Sequence, residues 1–215
     1  LCKIILKQKI KNHYIVKYGG FFVISDKEDK MKHHIKRLKR ELVYQGSILD
    51  IYADYMQLPD GKTAKWDFVS HRKGAAAVVA VAENGNLLLV RQYRSALDRE
   101  TLEIPAGSRD SVTEDTMVCA TRELEEETGW KSDHVEKLLQ LKTTVAFCNE
   151  FIDVYLATDL TPGVQKLDEG EEIEIVSMPL DEAVQKIYCG EIQDAKTVAG
   201  ILAYQSKLLT GRIHK

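Results

Sequence analysis

Residues Gly107–Trp130 read GSRDSVTEDTMVCATRELEEETGW, and the rest of the chain is best understood outward from them. Glu123, Glu126 and Glu127 stand at i, i+3 and i+4, so a helix places their carboxylates on one face. Three anions on one face repel each other unless cations compensate. Hard divalent cations prefer oxygen ligands, and Mg²⁺ is typically held by a few carboxylates with phosphate oxygens completing its octahedron. A solvated acidic face is the plain alternative. Against it, the run from Arg122 to Gly129 fits Arg-Glu-x-x-Glu-Glu-x-Gly, and five fixed residues leave little room for chance. The helix is predicted from near Ser111, where Ser111-Val112-Thr113-Glu114 fits a capping box and Thr113 is an equal cap. It should run to Thr128 and stop at Gly129 in the left-handed conformation, burying Met117, Ala120 and Leu124. Just before it, Pro105-Ala106-Gly107 reads as a turn whose carbonyls can join a coordination shell.

Upstream, strand and turn signals alternate. Residues 48–58 form a β-type run, Pro59-Asp60-Gly61 a turn, and residues 63–70 a returning strand. Ala75–Ala82 (AAAVVAVA) reads as a strand buried on both faces. Asn84-Gly85 is a hairpin turn into Leu87–Tyr93, and Thr101–Ile104 is a short strand. Downstream, strands are expected near 135–143, 150–157 and 172–178, and helices near 180–189 and 194–209. Mixed strands with a central helix and terminal helices indicate a layered α/β sandwich.

The helix segment resembles the Nudix hydrolases, whose box is G-x5-E-x7-R-E-U-x-E-E-x-G-U with U apolar. Glu114, Arg122, Glu123, Leu124, Glu126, Glu127, Gly129 and Trp130 match in order, while Gly107 stands six residues before Glu114 instead of five. That departure reads as a one-residue insertion in the loop before the helix. The likeness covers roughly residues 44–209. Leu89–Arg94, Glu103–Gly107 and Gly190–Thr197 are similar to the ADP-ribose pyrophosphatase branch. The resemblance implies an α/β/α sandwich with a mixed sheet and an N-terminal antiparallel hairpin at about 44–70. It also implies a Mg²⁺ site (Mn²⁺ could substitute) formed by the Ala106 carbonyl, Glu123 and Glu127. Glu126 would be a further metal or water-orienting group, and Arg122 would hold the carboxylates. Glu150 matches the branch's catalytic glutamate or an additional metal ligand.

For substrate, Trp66 resembles a base-stacking tryptophan, with a core position as the alternative. Arg94 matches a phosphate-contacting arginine, and Arg91 on the same strand is expected to point the same way. Two marks of the branch are missing. Val145-Ala146-Phe147 replaces a Pro-Gly-Phe-like segment, and Ile48 stands where a second tryptophan is expected. The resemblance thus implies Mg²⁺-dependent cleavage of a nucleoside diphosphate derivative, ADP-ribose to AMP and ribose 5-phosphate first. Nucleotide sugars, dinucleoside polyphosphates and a non-catalytic ligand-sensing module remain open. A homodimer is expected, because a lone two-stranded hairpin is marginal in water.

Composition bounds these readings. At 215 residues with 44% hydrophobic and 29% charged, the chain fits one globular domain with a small extension. Its longest apolar run is too short to span a bilayer, so no membrane partner is expected. The four cysteines show no CxxC spacing, which points to a reducing cytoplasm. Residues 1–41 hold 12 Lys/Arg and 4 Asp/Glu, against 18 and 29 in residues 42–215. The body is therefore acidic, which argues against a nucleic-acid partner. Residues 1–41 are taken as a basic extension and 42–215 as the Nudix hydrolase domain. Lys27-Glu28-Asp29-Lys30 before Met31 can be encoded by a purine-rich ribosome-binding sequence, so translation is expected to start at Met31 with 1–30 lying upstream.

Overall fold

The computed structural model describes residues 34–211 in full and, within the N-terminal segment, the backbone of residues 7–10, 13–18 and 21–26. These last form β1 (Lys7–Ile10), β2 (His13–Tyr18) and β3 (Phe21–Asp26), an antiparallel sheet of their own. The expected start at Met31 lies outside the described residues. By backbone contacts the chain divides into two units, residues 1–39 with 55–65, and residues 40–54 with 66–215.

The larger unit is built on β7 (Ala75–Val81), whose two faces are both buried, as its unbroken run of small and β-branched residues requires. It pairs antiparallel with β8 (Leu87–Arg94) and β10 (Ala106–Ser108), and parallel with β13 (Phe151–Thr158). β9 (Arg99–Glu103) and β15 (Ile173–Met178) flank β8, and β12 (His134–Lys142) closes the other edge beside β13. A two-stranded ladder of β11 (Trp130–Lys131) and β14 (Thr161–Pro162) stands apart. The main sheet has seven strands and is mixed.

Alternation along β7 sorts the core into two layers. Ala76, Val78 and Ala80 pack with Cys119, Ala120 and Leu124 of α1 (Thr116–Thr128). Ala77, Val79 and Val81 pack with Ala183 of α2 (Leu180–Tyr188), Ile201 and Tyr204 of α3 (Ala195–Leu209), and Ile192 between those helices. Gly200 allows α3 its close approach, since a Cβ there would stand 3.0 Å from Val79, 3.1 Å from Ile104 and 3.3 Å from Val154. The α/β/α sandwich expected from the sequence is the fold.

Three expectations need correction. Asp115, not Ser111 or Thr113, caps α1, accepting from the Met117 N–H at 2.8 Å. Ser111 and Glu114 are engaged in a separate turn: Ser111 Oγ accepts from the Glu114 N–H, and the Glu114 carboxylate accepts from the Asp110 N–H. Arg109 braces this loop, donating to the carbonyls of Lys73, Val112 and Glu114. Met117 is exposed, so Ala120, Leu124 and Cys119 alone anchor the helix's apolar face. Gly129 ends α1 in the left-handed region (φ 70°), as expected.

The expected N-terminal hairpin is also larger than the sequence suggests. β4 (Lys36–Gln45) joins β5 (Leu49–Gln57) and β6 (Thr63–His71) in a three-stranded sheet. β4 is dense in Lys and Arg and reads as basic extension. Within the larger unit its Arg40 forms a two-pronged pair with Asp54 of β5, both contacts at 2.6 Å, and lies 3.8 Å over the Phe68 ring of β6. The neighbouring strands thus account for a charge that looked destined for solvent. In the smaller unit the Leu58 and Lys62 backbones close the tight turn at Gly61 (φ 82°).

Leu124 is fully buried at the centre of the α1 layer. Leu124→Ala should cost about 2–5 kcal/mol, read as a lowered urea midpoint with an unchanged denaturant slope.

Candidate active site

The turn expected at Pro105-Ala106-Gly107 is instead the entry to β10, whose Ala106 and Gly107 pair with Ala77 and Ala76 of β7, and this strand lays its backbone against the acidic face of α1. Pro105 O accepts from the Val78 N–H at 2.9 Å, which seats the start of β10 against β7. The Ala106 N–H donates to Glu127 Oε2 at 2.9 Å. A Cβ at Gly107 would lie 2.1 Å from Glu123 Oε1, so any other residue there would push that carboxylate from its place. Arg122 gathers the rest. Its Nη1 donates to Glu123 at 2.7 Å and Glu126 at 2.9 Å, its Nε reaches Glu114 at 3.4 Å, and its Nη2 donates to Ser108 O at 3.1 Å.

The electrostatics show what one arginine leaves unbalanced. Burial pushes the Glu127 carboxyl up to about 8; the Ala106 N–H opposes the shift, and neighbouring Glu123 and Glu171 add to it. Burial likewise raises Glu123 to about 7 in spite of Arg122, with Glu126 and Glu171 contributing. Buried oxygen donors held above their ordinary range are what a hard cation would compensate. The residues therefore fit a divalent metal. Among the described residues no three His, Cys, Asp or Glu side chains converge on one point. Glu123 and Glu126 are drawn to Arg122, and Glu127 to the Ala106 N–H.

Glu171 was not legible in the sequence as a site residue. The only signal is the acid-rich loop Asp168–Glu172, and only the fold carries that loop within electrostatic reach of Glu123 and Glu127. Glu150 is held elsewhere: Thr143 Oγ1 donates to it at 2.8 Å and His71 Nε2 stands 3.6 Å away. No hydrogen bond or ion pair joins Glu150 to the Arg122 cluster among the described residues. Its loop is tied to β6, since the Val69 N–H donates to Phe147 O and the His71 N–H to Asn149 Oδ1.

Arg91 and Arg94 do not point the same way. They are three positions apart on β8, and side chains of a strand alternate. Arg91 sits opposite Leu102 and pairs with Glu174 at 3.1 Å. Arg94 shares its face with Glu103 and grips that carboxylate through Nε at 2.7 Å and Nη2 at 2.6 Å. Lys196 of α3 also contacts Glu103, Thr101 Oγ1 donates to it at 2.6 Å, and Asp194 holds Lys196 at 3.0 Å. This buried network was not anticipated. Trp66 is 45% exposed on β6, which removes the core alternative for it.

The α/β/α sandwich and its acid-bearing helix can now be set beside known proteins. The family model for the NUDIX domain matches residues 71–200. An ADP-ribose pyrophosphatase of Bacillus subtilis is 36% identical over 174 residues, covering 80% of this chain and 93% of that protein. A methanol dehydrogenase activator of Bacillus methanolicus is 38% identical over 168 residues, covering 77% and 90%. A solved structure described as an ADP compounds hydrolase superposes with a TM-score of 0.73 at 21% identity, covering 83% of this chain and 97% of that one, and agrees in fold. The chain belongs to the Nudix family. It is a hydrolase of phosphoanhydride bonds that acts on a nucleotide-derived diphosphate. Members of this family typically require a divalent metal. Among the described residues no helix is long and apolar enough to cross a membrane.

The Glu103 network has a pH signature. Burial alone would raise the Glu103 carboxyl, but Arg94 and Lys196 hold it down at about 2. A depressed carboxyl contributes stability above its unfolded value, and that stability is lost as pH falls toward the folded one. The melting temperature should therefore drop between about pH 4.5 and about pH 2. In Glu103→Gln the protein should be less stable at pH 7, by about 3–5 kcal/mol as a broken buried ion pair. Its acid limb over that window should also be shallower.

Proposed function

We infer that the chain hydrolyses ADP-ribose to AMP and ribose 5-phosphate. The observation that carries the reading is the pair of carboxylates of α1, Glu123 and Glu127, held against the Ala106–Gly107 backbone. Similarity to two proteins described as ADP-ribose pyrophosphatases, from Bacillus subtilis and Mycobacterium tuberculosis, supports the choice of substrate. In this reading the Ala106 carbonyl, Glu123, Glu126 and Glu127 hold Mg²⁺, and Mn²⁺ can occupy the same oxygen site. When bound, the metal neutralises the diphosphate and lowers the pKa of the attacking water. Arg122 keeps Glu123 and Glu126 in register on their helix face. Glu150 positions the water or accepts its proton as the P–O anhydride bond breaks. Arg94 donates to the diphosphate, Arg91 contributes positive charge from the opposite face of β8, and Trp66 offers a ring for the adenine.

A second reading has its own support. A GDP-mannose pyrophosphatase of Cronobacter sakazakii is 34% identical over 136 residues, and a Streptomyces rubellomurinus hydrolase of a CMP-linked phosphonate is 32% identical over 164. A nucleotide sugar or another nucleoside diphosphate conjugate would meet the same acids. A panel of ADP-ribose, GDP-mannose, other nucleotide sugars and dinucleoside polyphosphates, with products identified by mass spectrometry, decides between them. Turnover fastest on ADP-ribose, giving AMP, supports the first reading; preference for a sugar nucleotide supports the second. No cleavage of any, by folded protein that binds Mg²⁺, leaves ligand sensing.

The working form in this reading is a homodimer of a cytoplasmic protein, with residues 42–215 as its Nudix domain. Every residue of β4 is exposed, among them Leu38, Leu42, Val43 and Tyr44, with Ile48 exposed beyond its end. Exposed apolar side chains of this kind, set among the charges of the strand, are what a second copy would cover. Light scattering at low micromolar protein should give twice the chain mass; a fully active monomer overturns it. Glu127→Gln keeps the side chain's size and its acceptor for the Ala106 N–H. It should leave the melting temperature within a few degrees and lower turnover by about 100-fold or more at saturating Mg²⁺.

A further inference from the structure

Glu103 is almost fully buried, yet it is not among the acids around Arg122. Two cations share it. Arg94 takes it fork to fork from β8, using Nε and Nη2, and Lys196 contacts Oε2 from α3. Behind Lys196, Asp194 accepts from Lys196 Nζ at 3.0 Å, from the Thr197 N–H at 2.9 Å and from Thr197 Oγ1 at 2.6 Å, so the lysine is anchored to the start of its helix. Thr101 Oγ1 completes the shell around Glu103.

The consequence falls on Arg94. Its side chain is 40% exposed, and its Nη1 makes no hydrogen bond among the described residues. A guanidinium gripped along one edge cannot rotate, so the free edge donates in one fixed direction. Lys196 shares the same carboxylate and is itself balanced by Asp194, so the four charges sum to zero, and of the groups around Glu103 it is Arg94 that reaches furthest into solvent. Its fixed free edge is suited to an anion arriving at Arg94, and it costs no side-chain ordering at the moment of binding.

We propose that Lys196 and Glu103 are positioning residues that, through their shared contact, aim the free Nη1 edge of Arg94 at the diphosphate of the nucleotide substrate. This rests on the reading that Arg94 meets that diphosphate. A purely structural network, tying α3 to β9, would stabilise the fold and leave substrate binding alone.

The test is a double-mutant cycle on the whole chain with Mg²⁺ present. Wild type, Lys196→Met, Arg94→Ala and the double variant are compared for ADP-ribose hydrolysis and, separately, for ADP binding by calorimetry. Lys196→Met should raise KM and weaken ADP binding by about tenfold, the worth of one charge-assisted hydrogen bond. It should leave kcat within twofold and the Mg²⁺ dependence unchanged. In the Arg94→Ala background the same change should have no further effect on either quantity. Additive losses, a fall in kcat at constant KM, a shifted Mg²⁺ dependence, or unchanged ADP affinity overturns the proposal. Should Lys196→Met melt too low to assay, Glu103→Gln, which keeps one carbonyl acceptor for Arg94, must show the same dependence on Arg94. If wild type leaves ADP-ribose intact but binds ADP, the substrate reading falls, and the ADP cycle still decides the positioning role.

Discussion

One hydrogen bond organises the site: the Ala106 N–H donating to a Glu127 carboxylate that is buried on α1. A carboxylate in that environment is costly, and one amide does not repay it, which is why Glu127 rises to about 8. The fold tolerates the cost because α1 is secured elsewhere. Cys119, Ala120 and Leu124 are fully buried against β7, and Thr116 Oγ1 reaches Asp153 Oδ2 and the Tyr155 hydroxyl on β13. The apolar side of the helix supplies the stability that the acidic side withdraws. Buried oxygen donors in this position are what a hard cation would compensate.

Arginine is the right partner for such a cluster because its donors are fixed in a plane. Arg122 reaches Glu114, Glu123, Glu126 and the Ser108 carbonyl at once, so α1, the end of β10 and the loop between them are indexed to a single group. A lysine there would satisfy one or two of these contacts. Arg109 ties the loop before α1 to Lys73 and to its own carbonyls, while Gly107 stays close against Glu123.

How much of this was legible follows from the range of each interaction. Local pattern located the longer strands from β5 onward and all three helices, but not β4 or the short β10, β11 and β14, because alternation and helical spacing are properties of neighbours in sequence and need several residues to register. It also found Arg122, Glu123, Glu126 and Glu127 together, since one helix turn holds them all. It failed where the deciding partner is remote. Asp115 caps α1 because Ser111 and Glu114 are already committed to each other, a competition that spacing alone does not rank. β4 looked like a solvated basic arm, although Asp54 and the Phe68 ring accommodate Arg40. Glu103 and Lys196 are 93 residues apart, and Glu171 comes to the acids through a loop. Arg91 and Arg94 of β8 diverge for a local reason, because three positions along a strand reverse the face.

The remote contacts converge on one short segment. Thr101 and Glu103 belong to the Arg94 network, and the Ile104 N–H donates to Thr197 Oγ1 at the start of α3. Pro105 O accepts from β7, the Ala106 N–H holds Glu127, and Gly107 admits Glu123. Within seven residues the chain is therefore tied to β8, α3, β7 and α1 in turn. Such a segment cannot shift for one of its contacts without straining the others, so the arginine that would meet a phosphate and the carboxylates that would hold a metal keep a common reference. Their separation is set by backbone within a packed core and not by loops, and positioning of that kind is what in-line attack on a diphosphate demands.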